Sequence, residues 1–283
     1  MLIIACLPPG NIWPLKMAKV AAIFSDYDGT LSPLEVRRED AFISPRRRRL
    51  LAKASKSVQI GIITTKDLSF IKDRVPFADG IAATCGLEIQ VGDRIIIDER
   101  IRLPNKKVEK AYQEALARIL QMPDNVSVER KETENGELVA FCIDWRLARD
   151  WAEAQRKTAP ILASCTEQGL YVVESGISPF ANVFPVEVSK GDAFVRLRNE
   201  MGVTGSVIYL GDSEADNPAF QVADISIGIK HRRTVPELLS KYVLEYLELD
   251  GFLSNLIDAD FEFRDEMIER NTRQELDRRT ASK

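Results

Sequence analysis

Short apolar runs recur along the chain, and three of them end abruptly in polar residues. Residues 20–24, 58–63 and 206–210 have the length and continuous apolar character of strands buried on both faces of a parallel sheet. Reactive side chains follow each run directly, in Asp26-Tyr27-Asp28, Thr64-Thr65-Lys66 and Gly211-Asp212. The pattern therefore predicts an α/β fold whose buried strands deliver polar side chains to an edge of the sheet.

Helices and strands alternate in the flanking parts of the chain, and the order changes in the middle. Further strands are predicted at 81–84 and 225–229, with helices beginning at Pro45, at Asp67 and after Ser189. From residue 87 the pattern predicts a hairpin at 88–91 and 94–98, a helix at 104–122, strands at 126–131 and 138–144, a helix at 147–165 and a strand at 170–174.

The change of order indicates two domains. We expect an α+β domain at 87–183, inserted into a core formed by 17–86 and 184–283. Residues 1–16 are interpreted as an N-terminal extension, because their apolar run is too short to span a membrane and lacks the flanks of a signal peptide. Short helices are expected after residue 235, and the charged segment 261–283 is predicted to be a solvated helix or a frayed tail.

Composition and charge narrow the classes of function. The net charge of −4 argues against a nucleic-acid or anionic-membrane partner. Four cysteines without a Cys-x-x-Cys pair indicate neither a disulfide framework nor a zinc site, and they favour a cytoplasmic location. A single histidine nearly excludes chemistry that needs several. A soluble enzyme fits these bounds.

The first polar cluster places two carboxylates one residue apart. Carboxylates this close repel each other, which raises a pKa or recruits a cation, although Asp-Gly is also ordinary turn chemistry. The run Asp26-Tyr27-Asp28-Gly29-Thr30-Leu31 after an apolar strand resembles the first motif of the haloacid dehalogenase superfamily of phosphotransferases. That resemblance implies that Asp26 is the nucleophile and Asp28 the general acid and base.

Three further segments, which contain Thr64, Lys190 and Gly211-Asp212, resemble the second, third and fourth motifs of that superfamily and follow in the same order. The resemblance implies that Thr64 and Lys190 bind phosphate, and that Asp212 and Asp216 join Asp26 and the backbone carbonyl of Asp28 at a Mg²⁺ ion. Taken singly, each segment has a structural explanation as a helix cap or a surface lysine. The chain departs from the family at Ala215, where relatives usually carry Thr or Asn.

The resemblance also implies a fold and an activity. It implies a Rossmann-like core with a parallel sheet, and an inserted α+β cap between the second and third motifs. Sugar phosphatases of the trehalose-6-phosphate phosphatase type are the most similar branch, which implies Mg²⁺-dependent hydrolysis of a sugar phosphate through an aspartyl-phosphate. Features of Gly211 to Pro218 resemble mannosyl-3-phosphoglycerate phosphatases, and Val183-Phe184-Pro185 resembles phosphomannomutases, so these activities and a non-enzymatic sensor stay open.

Substrate contacts are expected from the inserted domain. Arg130, Lys131 and Glu174 lie on predicted strands that could face the core. Asn182 stands where a trehalose phosphatase is expected to carry an acid. We expect a small-molecule sugar-phosphate substrate, with neither nucleic acid nor membrane as partner, and the sequence leaves the oligomeric state open.

Overall fold

The computed structural model describes residues 18–101, 105–122, 125–174, 178–231 and 236–270. The strands in chain order are β1 (Ala18–Ser25), β2 (Gln59–Ile63), β3 (Gly80–Ala83), β4 (Glu88–Val91), β5 (Arg94–Ile97), β6 (Ser127–Glu132), β7 (Leu138–Asp144), β8 (Tyr171–Glu174), β9 (Phe180–Phe184), β10 (Ser206–Gly211), β11 (Ile225–Lys230), β12 (Tyr242–Glu245), β13 (Glu262–Phe263) and β14 (Glu269–Arg270). The helices are α1 (Pro45–Ala54), α2 (Leu68–Ile71), α3 (Asn105–Ile119), α4 (Trp151–Glu167), α5 (Lys190–Glu200), α6 (Asn217–Val222) and α7 (Leu249–Asp258). The extension predicted at 1–16 and the segment 271–283 lie outside the described residues.

Six parallel strands form the centre of a ten-stranded sheet, in the order β12, β11, β10, β1, β2, β3. The chain moves outward from β1 through β2 and β3, and later returns to the other side of β1 through β10, β11 and β12. Ligands of open α/β sheets bind outside the carboxyl ends of the strands where the order reverses in this way. Asp26 follows β1 directly and therefore lies at that position.

Both faces of this sheet are covered, which explains the continuous apolar runs. Ile23 packs on one face in a cluster with residues of α1 and α7. Phe24 packs on the other face against Phe194 of α5, with ring centroids 5.1 Å apart. The predicted α/β fold with a parallel sheet is confirmed.

A second, separate sheet of four antiparallel strands has the order β6, β7, β9, β8. It lies in the segment predicted to be inserted, and this sheet with α3 and α4 is called the inserted domain below. Helices α3 and α4 cover one of its faces, where Phe141, Trp145 and Ile161 are buried together. The other face contains Glu129, Cys142 and Asn182, which are direct cross-strand partners and therefore point the same way. The sequence did not predict β9, which lies between β7 and β8.

The hairpin of β4 and β5 lies in the core sheet, whereas the sequence placed it in the inserted domain. Strand β4 pairs antiparallel with β3, and β5 extends the same sheet. Ile89 is fully buried among residues of α5, so the hairpin finds its cover on the core. The order of elements along the chain does not tell which sheet a hairpin joins. We therefore propose that the inserted domain begins after Ile97 rather than at residue 87.

The prediction of a solvated helix or frayed tail is wrong for residues 261–270. Phe261 and Phe263 are buried, β13 pairs antiparallel with the start of β1, and β14 pairs with β12. The charged residues of this segment alternate with the buried aromatic ones, so its high charge concealed two short strands. Helix α7 fulfils the expectation of helix after residue 235, but the strand β12 precedes it.

Candidate active site

A tight turn after β1 positions the first pair of carboxylates. The backbone amides of Leu31 and Ser32 both donate to the carbonyl of Tyr27, which folds the chain back on itself. Gly29 adopts a positive φ of 78°, and a Cβ at this position would lie 2.1 Å from Asp212 Oδ2. Only glycine satisfies both the backbone conformation and this close approach. The turn therefore brings the loops after β1 and β10 into contact.

Lys190 joins two acids at the base of the site. It opens helix α5, where Ser189 is the N-cap, and its Nζ lies 3.0 Å from Asp26 Oδ2 and 2.7 Å from Asp216 Oδ1. Burial acts to lower the pKa of Lys190, but the carboxylates of Asp216 and Asp26 outweigh it and raise the pKa. The lysine is therefore a fixed positive charge beside the expected nucleophile.

Three buried acids form a cluster that can hold a cation. Asp26, Asp212 and Asp216 each offer a ligand atom within 4.8 Å of the others. Burial raises the pKa of Asp26 to about 7, since Lys190 offsets only part of the cost of burying the charge. Burial and the repulsion of Asp26 and Asp216 raise the pKa of Asp212 well above its usual range. The donor set fits a hard divalent cation, which would relieve this repulsion.

Asp216 differs from the other two acids because its oxygens already accept hydrogen bonds. Oδ1 accepts from Lys190 Nζ and from the Tyr209 hydroxyl, both at 2.7 Å. Oδ2 accepts from the Ser213 hydroxyl at 2.9 Å and from the backbone amides of Ser213 and Asp212. Asp216 thus fixes both the lysine and the loop that carries Asp212.

Asp28 lies apart from the acid cluster, between two cations. Its Oδ2 is 3.5 Å from Lys66 Nζ, and its Oδ1 is 3.7 Å from Arg146 Nη1. Lys66 belongs to the core, whereas Arg146 follows β7 of the inserted domain. The two carboxylates of the first motif therefore occupy different electrostatic surroundings, one facing the other acids and one facing cations.

The loop after β2 is held by an unusual turn after β3. Thr84 and Cys85 have positive φ angles of 48° and 54°, and their amides donate to the carbonyls of Lys66 and Thr64. The Thr64 hydroxyl is buried and accepts from the Lys66 amide at 3.2 Å, while Thr65 lines the cavity beside Asp26. Thr65 thus faces the open space, whereas the predicted phosphate-binding Thr64 precedes it with its hydroxyl toward the Lys66 amide.

Four residues of the inserted domain were predicted to contact the substrate, and strand pairing decides which of them face the site. Lys131 is buried, and its Nζ donates to the Thr65 carbonyl at 2.6 Å and to Asn182 Oδ1. Arg130 pairs instead with Glu109 and Glu132, on the face that helix α3 covers. The prediction of Arg130 at the substrate is wrong, because adjacent strand residues face opposite ways.

Glu174 is the second of the four that does not reach the site. Its cross-strand partner is Ala181, whereas Val173 pairs with Asn182, so Glu174 points away from the core. It is exposed and accepts a hydrogen bond from Gln155 Nε2 at 2.7 Å. Lys131 and Asn182 are therefore the two predicted residues of the inserted domain that lie at the site.

Sequence reasoning missed four residues that the structure places here. Glu129 lies 2.8 Å from Arg38 and 3.2 Å from Lys66, so it links the inserted domain to the core. His231 Nε2 contacts the Gly29 carbonyl and lies 3.9 Å from Asp212 Oδ2. Alternation along β6 was the available signal for Glu129, two residues before Lys131. The signals for Arg38, Arg146 and His231 are absent from the sequence, because domain docking and loop packing bring them in.

The site is closed in this arrangement. Its cavity is only about 30 Å³ in volume, which is room for about two water molecules. The residues that line it come from both domains: Asp26, Asp28, Thr65, Val173, Ser178, Phe180, Asn182, Lys190, Asp212, Ser213 and Ala215. A larger groove of about 690 Å³ lies between α7 and the β12 edge, and its lining includes none of these residues.

Comparison with known proteins gives relatives of two kinds. The chain is 24% identical over 216 residues to phosphoglycolate phosphatase 2 of Saccharolobus solfataricus, covering 76% of this chain and 81% of that protein. It is 25% identical over 262 residues to probable trehalose-phosphate phosphatase 3 of Oryza sativa subsp. japonica, covering 84% and 70%. No protein-family model matches the sequence.

Solved structures share the fold. The C-terminal domain of C. albicans trehalose-6-phosphate phosphatase matches with a TM-score of 0.67 at 18% identity, over 84% of this chain and 93% of that one. A haloacid dehalogenase-like hydrolase from Bacteroides thetaiotaomicron matches with a TM-score of 0.61 at 15% identity, over 85% and 100%. The resemblance noted in the sequence is confirmed, and the chain has the haloacid dehalogenase fold. Within the described residues, no helix is both long and apolar enough to cross a membrane.

Proposed function

We propose that this chain, with its haloacid dehalogenase fold, is a Mg²⁺-dependent phosphatase of a sugar phosphate, trehalose-6-phosphate or a related ester. The observation that carries the proposal is the pairing of Asp26 with Lys190 beside an acid cluster, while Asp28 stands apart between two cations. This arrangement supports Asp26 as the group that attacks and Asp28 as the group that transfers the proton. The phosphatase names of both relatives support the same reaction class.

The proposed chemistry proceeds in two steps. A carboxylate oxygen of Asp26 attacks phosphorus, the ester P–O bond breaks, and Asp28 gives its proton to the departing oxygen. Asp28 then takes a proton from water, the hydroxide attacks phosphorus, and the bond to Asp26 breaks to release phosphate. Lys190 and the Thr64 hydroxyl bind the phosphoryl oxygens and offset their developing charge.

Asp26 and Asp212 are the proposed carboxylate ligands of Mg²⁺, together with the backbone carbonyl of Asp28. Asp216 belongs to the same cluster, and we propose that it acts mainly by holding Lys190 and the Asp212 loop, because both of its oxygens already accept hydrogen bonds. When bound, the ion supplies positive charge to the phosphoryl oxygens and lowers the repulsion between the acids. Ala215 lines the cavity and contributes no polar ligand.

Lys131 and Asn182 are the proposed contacts to the leaving group. Both lie on the face of the inserted domain that meets the core, and they are hydrogen bonded to each other. Because the cavity is too small for a sugar, the substrate must enter with the inserted domain displaced.

The buried thiols of Cys85, Cys142 and Cys165 are free, which supports the expected cytoplasmic setting.

A panel of esters tests the proposed function. The protein is incubated with Mg²⁺ and with trehalose-6-phosphate, glucose-6-phosphate, mannose-6-phosphate, phosphoglycolate, mannosyl-3-phosphoglycerate and 4-nitrophenyl phosphate, and released phosphate is measured. The proposal predicts Mg²⁺-dependent release that is fastest from one of the sugar phosphates. Isomerisation without release, dependent on a bisphosphate activator, would establish a mutase instead, and inertness toward the whole panel would leave a sensor.

A further inference from the structure

Arg146 is a buried arginine that the proposed phosphoryl transfer does not require. It follows β7 and is only 6% exposed. Its Nε donates to Asp144 Oδ2 at 2.7 Å, and its backbone amide donates to Asp144 Oδ1 at 2.9 Å. Asp144 therefore fixes both the backbone and the guanidinium, and the arginine is a rigid part of the inserted domain.

The far end of the same side chain reaches the core. Nη1 donates to the Val36 carbonyl at 3.4 Å and lies 3.7 Å from Asp28 Oδ1, which is an ion-pair distance rather than a hydrogen bond. Val36 belongs to the segment that follows the first motif. Arg146 thus connects the domain that faces the leaving group to the carboxylate expected to protonate it.

The two oxygens of Asp28 are not equivalent. Oδ2 faces Lys66 of the core, whereas Oδ1 faces Arg146 of the inserted domain. Oδ1 is buried and accepts no hydrogen bond from any residue in the described ranges. Oδ1 therefore has no hydrogen bond to lose when a substrate binds, and the charge it faces comes from the inserted domain.

The charge of Arg146 is secure. Burial acts to lower the pKa of its guanidinium, but the carboxylates of Asp144 and Asp28 outweigh this and raise the pKa. The planar guanidinium can bind Asp144 through one edge and approach Asp28 with the other. A lysine offers a single point charge and cannot do both.

We propose that Arg146 is a positioning residue for proton transfer, which fixes Asp28 Oδ1 toward the leaving oxygen when the inserted domain is closed. The inserted domain, which contacts the leaving group in the proposed function, thereby also orients the Asp28 carboxyl that protonates it. This inference rests on the proposed phosphatase function.

The test uses aryl phosphates, which have no sugar to bind. kcat/KM is measured with Mg²⁺ for 4-nitrophenyl, 3-nitrophenyl, 4-chlorophenyl and phenyl phosphate, because this parameter reports steps up to departure of the leaving group. Nitrophenolates leave without a proton, whereas phenolate benefits from an acid. Arg146→Gln is expected to lose about 100-fold on phenyl phosphate, the scale of general acid catalysis, and under about 3-fold on 4-nitrophenyl phosphate. Asp28→Asn should show the same steepened dependence on the leaving group.

Controls separate this role from others. Arg149 is exposed in the same segment, and Arg149→Gln should keep the wild-type dependence. Arg146→Lys should show a dependence of kcat/KM on the leaving group between those of the wild type and Arg146→Gln. It replaces Arg146→Gln in the test if that variant does not give the wild-type circular dichroism spectrum. A uniform loss across the aryl series, or a loss confined to sugar phosphates, overturns the assignment in favour of a structural or sugar-binding role. A wild type inert toward every ester removes the proposed function, and this inference with it.

Discussion

Lys66 of the core and Glu129 of the inserted domain form a buried ion pair, with Nζ 3.2 Å from Oε2. The same ammonium lies 3.5 Å from Asp28 Oδ2, so one lysine contacts both the inserted domain and the expected acid. Lys66 therefore connects the inserted domain directly to the carboxylate of the first motif.

Adjacent residues on β6 provide a matched pair. Lys131→Met should lower kcat/KM for the preferred sugar phosphate at least about 10-fold, because it removes a buried charged donor from the leaving-group side. Arg130→Met should change it less than about 2-fold, since the ion pairs of Arg130 lie on the opposite face and are partly exposed. Steady-state kinetics of the two variants check this. Equal losses would contradict the register argument.

The Arg47 side chain is hydrogen bonded to the backbone of the first motif. This buried arginine donates to the carbonyls of Thr30 and Leu31 and to that of Tyr246, and it pairs with Asp250 at 2.8 Å. Arg47→Met should cost roughly 3 kcal/mol of unfolding free energy, because several buried groups lose their partners. The exposed neighbour Arg48 is the control, and Arg48→Met should stay within about 0.5 kcal/mol. Urea unfolding measures the free energy of unfolding of both variants. A loss in Arg47→Met as small as that in Arg48→Met would show that the contacts of Arg47 do not stabilise the fold.

The ion pairs of Glu129 should appear in the pH dependence of stability. Burial alone would raise the pKa of this carboxyl, but Lys66, Lys131 and Arg38 outweigh it and lower the pKa from 4.5 to about 2. The stabilisation from the ion pairs of Glu129 is fully present above pH 4.5. It is lost as the pH falls toward 2, where Glu129 takes up a proton in the folded state as well.

Glu129→Gln tests this by comparison with the wild type. At pH 7 the variant should be less stable by roughly 3 kcal/mol, because it leaves buried cations without their partner. The difference should shrink progressively below pH 4.5, as the wild type loses the contribution that the variant never had. Urea unfolding at pH 7, 5, 4 and 3.5 checks this, and a difference that stays constant over this range contradicts it.

Magnesium binding has a readout that does not depend on turnover. Added Mg²⁺ should raise the Tm of the wild-type protein, because an ion that binds only the folded state stabilises it. Asp212→Asn should abolish the shift. The exposed acid Asp258 offers a control on α7, and Asp258→Asn should keep it. A shift of equal size in Asp212→Asn would place the ion elsewhere.

The sequence predicted the parts of the site that lie directly after strands. Asp26 and Asp212 follow apolar runs, and Lys190 begins a helix with a recognisable cap, so local pattern and motif order indicated the three residues that the structure brings together. The role of Thr64 stays a prediction. Arg146 and His231 reach the site through domain docking and loop packing, which no local pattern records. Arg130 and Glu174 were mistaken because the face of an edge or half-buried strand depends on its register with neighbours.

The fold shows the same division between local and long-range information. Five of the six parallel strands, β1, β2, β3, β10 and β11, were predicted to within one or two residues, since both of their faces are apolar. The short strands β9, β12, β13 and β14 were missed, because pairing with distant partners stabilises them rather than their own composition. The hairpin of β4 and β5 was recognised as a hairpin but assigned to the wrong sheet for the same reason.

The central claim is that Asp26 is the nucleophile, and phosphate release by Asp26→Asn tests it most directly. The variant is compared with the wild type on the preferred ester from the panel, with and without Mg²⁺, after circular dichroism shows that it is folded. Asparagine keeps the shape of the side chain but is a far weaker nucleophile, so the account predicts that Mg²⁺-dependent release falls to the rate without protein. Mg²⁺-dependent release that persists in Asp26→Asn would contradict it.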